Sequence, residues 1–496
     1  MERGESGALP VCSLRNVADK FVQALPADAR NTIQRKLAEL SRDPMLFSTA
    51  CSGSEVAVKA WTAVEVAGLH TRGDKTLRHR FSCEINQAVR TFIKENAHPE
   101  RVFKDVAELN DIQSYDEVEG IKVINGRETL GSNLFVAGFS CNSISLKNPQ
   151  TRENSKALAD ALEGMFCAEP AEQKSSNSTF YTLRNCMLYV SAYRPEWVLL
   201  ENVDNFGKHL DSMRVLFYRM DYIFVPVTLD ASDYGCPARR RRLFMLAQLR
   251  SLNPTCDEAN LGACVKATLR ALQTERLPIT AFTSDGDAYR QASKRPRKQD
   301  LEDSKWVKLH SSIFRDHGLH FDVPCADACH VQGVQVTPRE RSIIDFLHLR
   351  AIERTSQDAA KFEDRAEQFF DIDQSLDRLL KKSETTASLC PTLCLSSNIY
   401  MLRSRQLLSP MAHLRLQNIT EEDYPRLAET DPRLQKRLAG DAFNGACMAA
   451  LFLTMLLHFN LPERKAGAKL QADSPPEVEI EHADYMSVFD TDLLLH

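Results

Sequence analysis

The chain has 496 residues, a formal net charge of −5, 43% hydrophobic and 26% charged residues, which suits one large catalytic domain with an insertion or two to three domains. The acidic balance argues against a non-specific DNA coat and leaves room for a local basic cleft. No apolar run has the length of a bilayer span, the opening residues carry no leader pattern, and the 14 scattered cysteines lack the density of a secreted scaffold, so no membrane partner and an intracellular, reduced setting are expected.

In chain order, residues 1–44 hold two segments with helical apolar spacing, Val17 to Leu25 and Ile33 to Leu40, expected as a helical extension packed on the core. From residue 45 short apolar runs alternate with helical ones. Met45-Leu46-Phe47-Ser48 reads as a strand end, followed by a small-residue turn Thr49 to Gly53 and a helix over Ser54–Ala67. His79 to Glu84 is the next strand and ends on an acid. Leu134 to Gly138, Trp197 to Leu200, Tyr222 to Val227 and Arg242 to Ala247 follow as strands, with helices between. Strands alternating with helices predict an α/β doubly wound sheet, mostly parallel and covered on both faces.

Residues 150–178 are polar, and the alternation is lost across 251–389, which reads as an inserted domain with a charged helical segment around Gln357–Lys382. The run Lys294-Arg295-Pro296-Arg297-Lys298 within it suits a solvated loop, a phosphate contact or a nuclear address. Residues 390–460 return to the catalytic domain begun at 45–250, and 461–496, polar and acidic, are expected as a loose tail.

Three segments carry chemistry. Cys141, after Gly138-Phe139-Ser140, sits on a strand-end loop where open α/β sheets bind substrates; a thiolate there is a nucleophile, and a buried thiol is a filler. Glu201-Asn202-Val203 directly follows the strand Trp197–Leu200, placing a carboxyl at the same crevice to hold or share a proton. Arg239 to Arg242 run into a strand, whose alternation sends Arg240 and Arg242 to one face, suited to phosphate or carboxylate. Glu84, a strand-ending acid beyond a small-residue turn, matches the way doubly wound folds hold ribose hydroxyls. Cys325, Cys329 and His330 with Cys390 and Cys394 offer a conceivable zinc set, but the last two flank Pro391-Thr392-Leu393 as loop packing, and no metal is expected.

In this order the residues resemble the cytosine-5 DNA methyltransferase family. The Phe-Ser turn at 47–53, Glu84, Asp105 in Val102-Phe103-Lys104-Asp105-Val106, Cys141, Glu201-Asn202-Val203 and the arginine motif follow the family's sequence of motifs. Arg405 to Gln417 looks like its penultimate motif, and Gly440-Asp441-Ala442-Phe443-Asn444-Gly445 like the closing one. The resemblance covers 45–250 and 390–460 and implies that 251–389 is a target-recognition domain. It implies S-adenosylmethionine as methyl donor, contacted by Phe47, Ser48, Gly53, Glu84, Asp105, Gly440, Asp441 and Ala442. It further implies methyl transfer to C5 of cytosine in DNA, with the base flipped out. Cys141 would attack C6, Glu201 would hold ring N3, Asn202 would order the loop, and Arg240 and Arg242 would steady the base and the active-site loop. A tRNA substrate and a catalytically silent nucleic-acid-binding relative are the alternatives. Nuclear localisation follows if the source is eukaryotic; oligomeric state is not legible.

The chain also departs from the family pattern: Ser140 stands for the usual proline, the first turn has Gly53 alone, Ala238 replaces a glutamine and Asp441 an asparagine. These mark a divergent branch.

Overall fold

In the computed structural model, residues 12–69, 75–145, 150–163, 178–283, 305–324, 330–331, 334–355, 367–380 and 388–461 are described. Its centre is β1 (Met45–Ala50), whose alternate residues face opposite ways, as the period of two requires. Met45 and Phe47 enter one hydrophobic core and Ala50 the other. The strands β2 (Leu77–Cys83), β3 (Arg101–Phe103), β6 (Leu134–Ala137), β7 (Trp197–Val203), β8 (Tyr222–Asp230) and β9 (Arg241–Leu249) complete a seven-stranded sheet, with the hairpin β4 (Gln113–Asp116) and β5 (Ile121–Ile124) standing apart.

The order is β3-β2-β1-β6-β7-β9-β8. All neighbours pair parallel except around β9, which is antiparallel to both β7 and β8. The chain winds outward from β1 to β3, then crosses back to place β6 on the other side of β1. That reversal opens a crevice beyond the carboxyl ends of β1 and β6, the usual ligand position in an open α/β sheet.

Helices cover both faces. On one side lie α1 (Leu14–Ala24), α2 (Ala27–Leu40), α3 (Val56–Leu69) and the apolar helix Gly445–His458, with buried Phe21, Leu37, Trp61 and Phe452 in one core. On the other lie the helices Ser178–Tyr193 and Leu210–Arg219, with Leu183, Tyr189, Met213 and Phe217 buried. The stretch Pro432–His458 is long and apolar enough to cross a membrane by composition alone, and most of its apolar window is packed inside the protein.

Two expectations change here. Glu201, Asn202 and Val203 do not follow β7 but end it, because antiparallel β9 extends the ladder through Glu201↔Phe244, Asn202↔Leu243 and Val203↔Arg242. Phe47 lies inside the sheet's packed face, fully buried and edge-on to His79 and Phe452, with ring centroids at 6.1 and 6.2 Å. It is a core residue because the pleat turns it away from the strand end.

Beyond β9 the described residues include β10 (His330–Val331), β11 (Val334–Gln335), β12 (Phe369–Asp371), β13 (Ile399–Met401) and β14 (Gln406–Leu407), with helices Lys305–Asp316 and Pro338–Thr355 around a separate small core of Phe314, Ile343 and Phe346. The charged segment expected at Gln357–Lys382 holds β12 and a short helix Leu376–Leu380 where it is described. The basic run 294–298, Cys325 and Cys329, and the expected tail beyond 461 lie outside the described residues. Among the described residues no cluster of His, Cys, Asp or Glu suits a metal ion.

Candidate active site

The antiparallel direction of β9 determines the site. Its first residues arrive where β7 ends, so Arg242 meets Glu201 across the ladder, with Nε 2.9 Å from Oε1 and side chains only 16% and 13% exposed. Burial is the main influence on the Glu201 carboxyl and raises it; Arg242 and then Arg240 oppose that rise. A carboxyl so placed holds its proton more readily than a solvated one and can hydrogen-bond a ring nitrogen.

Cys141 is half-buried on the loop leaving β6. Burial, then the Glu201 carboxylate, push its thiol up, while Arg242 and Arg240 pull it back. The four groups therefore share one electrostatic neighbourhood. The two guanidiniums are what would favour a thiolate there.

The Cys141 loop is held by bonds from both sides. Buried Asn202 donates from Nδ2 to the Phe139 carbonyl at 2.8 Å, and its Oδ1 accepts from the Val203 amide at 2.9 Å. Asn205 donates to the Ile144 carbonyl at 2.8 Å. From the helix Ser178–Tyr193, Thr182 Oγ1 accepts the Ser140 amide at 3.0 Å and Thr179 Oγ1 accepts the Ser143 amide at 3.3 Å. These threonines lie outside the sequence expectation; a polar stripe at the start of an otherwise buried helix is their trace in the sequence. They supply order to a loop that has serine at 140 rather than a ring-constrained proline.

Arg240 lies deeper. It is 4% exposed, and its Nη2 donates to the Gly440 carbonyl at 3.1 Å and to the Ala442 carbonyl. Its Nε and Nη1 are buried with no hydrogen-bond partner among the described residues. Burial lowers its pKa to about 10, with Arg242 adding to that effect. Arg240 thus joins the Cys141–Glu201 neighbourhood to the closing turn 440–442 and keeps unused donors for a further acceptor. Cys390 exchanges backbone bonds with this motif, accepting from the Arg239 amide at 2.8 Å and donating to Pro237 at 2.9 Å. That pairing is loop packing.

The second half of the crevice lies beyond β1, β2 and β3. Three residues in the turn after β1 adopt left-handed backbone, Cys51 at φ 52°, Gly53 at 67° and Glu55 at 60°. A Cβ on Gly53 would lie 3.1 Å from the Asp441 backbone, and one on Gly138 only 2.9 Å from the Cys51 carbonyl and the Phe443 ring. The first turn, the Cys141 loop and the closing turn therefore approach one another closely enough to require glycine at these two positions. Glu84 follows β2, and burial raises its carboxyl to about 7, with Asp441 and Glu55 contributing. Its Oε1 accepts the Asn86 amide at 2.8 Å. Asp105 follows β3 and caps a short 3-10 helix, its Oδ1 accepting from Ala107 at 3.0 Å and from the Tyr181 hydroxyl at 3.3 Å. Burial also raises Asp441, against the pull of Arg437.

The structure thus brings Gly53, Glu84, Asp105, Gly440, Asp441 and Ala442 around one end of the crevice and Cys141, Glu201, Asn202, Arg240 and Arg242 around the other. It leaves Phe47 and Ser48 inside β1, Ser48 fully buried. Cys51, at the strand end, stands where Phe47 was expected, with Cys186, Glu84, Asp105 and Asp441 as its electrostatic neighbours.

A family model described as C-5 cytosine-specific DNA methylase matches residues 170–387, a segment that includes Glu201, Asn202, Arg240 and Arg242. The chain is 24% identical over 239 residues to the DNA (cytosine-5-)-methyltransferase DMT5 of Cryptococcus neoformans var. grubii, covering 48% of this chain and 9% of that protein. It is 26% identical over 156 residues to the type II methyltransferase M.HhaI of Haemophilus parahaemolyticus, covering 30% of this chain and 41% of that one. The chain thus spans less than half the length of the curated relatives it matches. Among solved structures, the S. pombe Dnmt2 methyltransferase aligns over 83% of this chain and 98% of its own, at 13% identity and a TM-score of 0.40.

Proposed function

We propose that this chain, which matches the C-5 cytosine-specific DNA methylase family model over residues 170–387, methylates C5 of cytosine in DNA through a covalent adduct at Cys141. The observation that carries this reading is the shared neighbourhood of Cys141, Glu201, Arg242 and Arg240 at one end of the sheet. A nucleophile, a proton-holding carboxyl and two fixed cations are what addition to an electron-poor pyrimidine ring needs.

The crevice fits S-adenosylmethionine by the chemistry of its donor set. The Glu84 carboxyl is suited to ribose hydroxyls and the Asp105 carboxyl to an amine edge, while Gly53 packs against the Asp441 backbone at the same end of the crevice. When bound, this donor supplies an electrophilic methyl group. The rest is done by the chain. Cys141 gives up its proton to solvent against the rise that burial and Glu201 impose, with Arg242 and Arg240 favouring the thiolate, and the sulfur adds to C6 of a base turned out of the helix. Glu201 holds a proton at N3, so that the electron pair displaced by sulfur collects at C5 rather than as a ring anion. Once C5 carries the methyl group, loss of its hydrogen as a proton to a base returns the electron pair, expels the Cys141 sulfur and restores the ring. Arg242 keeps Glu201 oriented throughout, and Asn202 keeps the thiol loop in place. Residues 251–389 serve as the inserted module that meets the nucleic acid.

The test is transfer of a labelled methyl group to duplex DNA or to tRNA, in parallel with Cys141→Ala. Label on DNA that disappears in the variant supports the proposal. Label on tRNA alone replaces the substrate, and no label with nucleic acid still bound replaces catalysis with binding. DNA carrying 5-fluorocytosine should trap a covalent complex with the wild type and none with the variant.

A further inference from the structure

The first turn holds a buried carboxyl that none of the chemistry above uses. Glu55 is 1% exposed and sits at φ 60°, a left-handed backbone region that is strained for a residue other than glycine. Its carbonyl accepts from the Val58 and Lys59 amides and so starts α3. Its side chain turns back beneath the turn. Oε1 accepts from Ser52 Oγ at 2.7 Å and from Thr49 Oγ1 at 2.8 Å. Oε2 is buried without a hydrogen bond, 3.9 Å from His79 Nε2, itself 3.1 Å from Ser82 Oγ. One carboxyl therefore ties the end of β1, the middle of the turn and the start of α3 into a single closed unit.

A strained backbone and a buried carboxylate both oppose folding, and such outliers persist where a site needs them. A glycine at 55 would remove both costs, and Gly53 beside it shows that the turn accepts glycine. Cys51, a second residue with left-handed backbone, lies within the span that Thr49 and Ser52 bracket. We propose that Glu55 is a positioning residue for the methyl donor: through the Thr49 and Ser52 hydroxyls it fixes the 51–55 turn, replacing with side-chain bonds the shape that a glycine-rich turn has by itself. Gly53 is then held against the closing turn at Asp441, and the donor meets a preformed wall. Glu55 itself touches no reacting atom. The inference rests on the reading of this crevice as the donor site.

The test uses the full chain and S-adenosylhomocysteine as probe, with binding measured by calorimetry and methyl transfer measured at saturating DNA. Glu55→Gln keeps an acceptor for both hydroxyls and should bind within about threefold of wild type. Glu55→Gly relieves the backbone and removes the clamp, and should weaken the probe about tenfold, raising the donor KM while kcat at saturating donor and DNA affinity stay near wild type. Ser52→Ala, a milder change in case the glycine variant does not fold, should lie between. Glycine and alanine variants that bind the probe like wild type overturn the inference and leave the donor site standing. A wild-type chain that binds no probe overturns both.

Discussion

Arg242 Nε and Glu201 Oε1 stand 2.9 Å apart because β9 runs against the rest of the sheet, delivering the start of one strand to the end of another. The pair is a partly buried, charge-assisted bond, in which Arg242 opposes the rise that burial imposes on the Glu201 carboxyl. Arg242→Ala should reduce methyl transfer by about a hundredfold or more. Freed of Arg242, the Glu201 carboxyl should ionise at a higher pH, since burial, which raises it, is then less opposed. A single-turnover pH profile that keeps its limbs unmoved in the variant would count against this pairing as the proton-holding unit.

Arg240 reaches the opposite end of the crevice through the carbonyls of Gly440 and Ala442. Arg240→Met should therefore weaken donor binding about tenfold through the loosened closing turn. Titration with the donor product, compared with DNA binding on the same samples, checks which ligand suffers. A loss confined to DNA would place Arg240 at the base instead.

Glu55 should leave a signature in stability against pH. Burial raises its folded-state carboxyl from 4.5 to about 7, so the folded protein holds a proton there that the unfolded chain has lost. Its contribution is thus most favourable below about 4.5 and declines as pH rises towards 7. Glu55→Gln should gain on wild type in urea midpoint across that window and hold a constant lead above it. Parallel curves for the two proteins from pH 4.5 to 8 would show that the carboxyl is not so raised.

Phe47 should matter for stability alone. Phe47→Ala removes a fully buried ring between His79 and Phe452 and should cost about 3–5 kcal/mol. At a temperature where the variant remains folded, its donor KM should match wild type. A selectively raised donor KM would return Phe47 to the donor site.

Much of the sheet was legible because its signal is local. Apolar runs of β1, β2, β6 and β7 announce themselves within a few residues, and Gly138 and Gly53 fall at turns for steric reasons that need no distant partner. The order of Cys141, Glu201 and Arg240/Arg242 along the chain was equally plain. Errors came where a distant ladder decided a local feature. β7 runs to Val203 only because β9 pairs with its last three residues, and Phe47 faces inward only because the pleat counts back from Ala50.

By itself, then, the chain's order of residues determined that a thiol, a carboxyl and an arginine pair would lie on strand ends of one α/β sheet, since each is placed by the hydrophobic pattern beside it. Tertiary structure alone decided their partners. Arg242 pairs with Glu201 and Arg240 with residues two hundred positions away, because β9 is antiparallel and the closing turn packs beside it. It also decided that Glu55, outwardly an ordinary helix-start acid, lies buried beneath the first turn. Strand direction and burial depend on contacts between segments far apart in the chain, and no local pattern of residues encodes them.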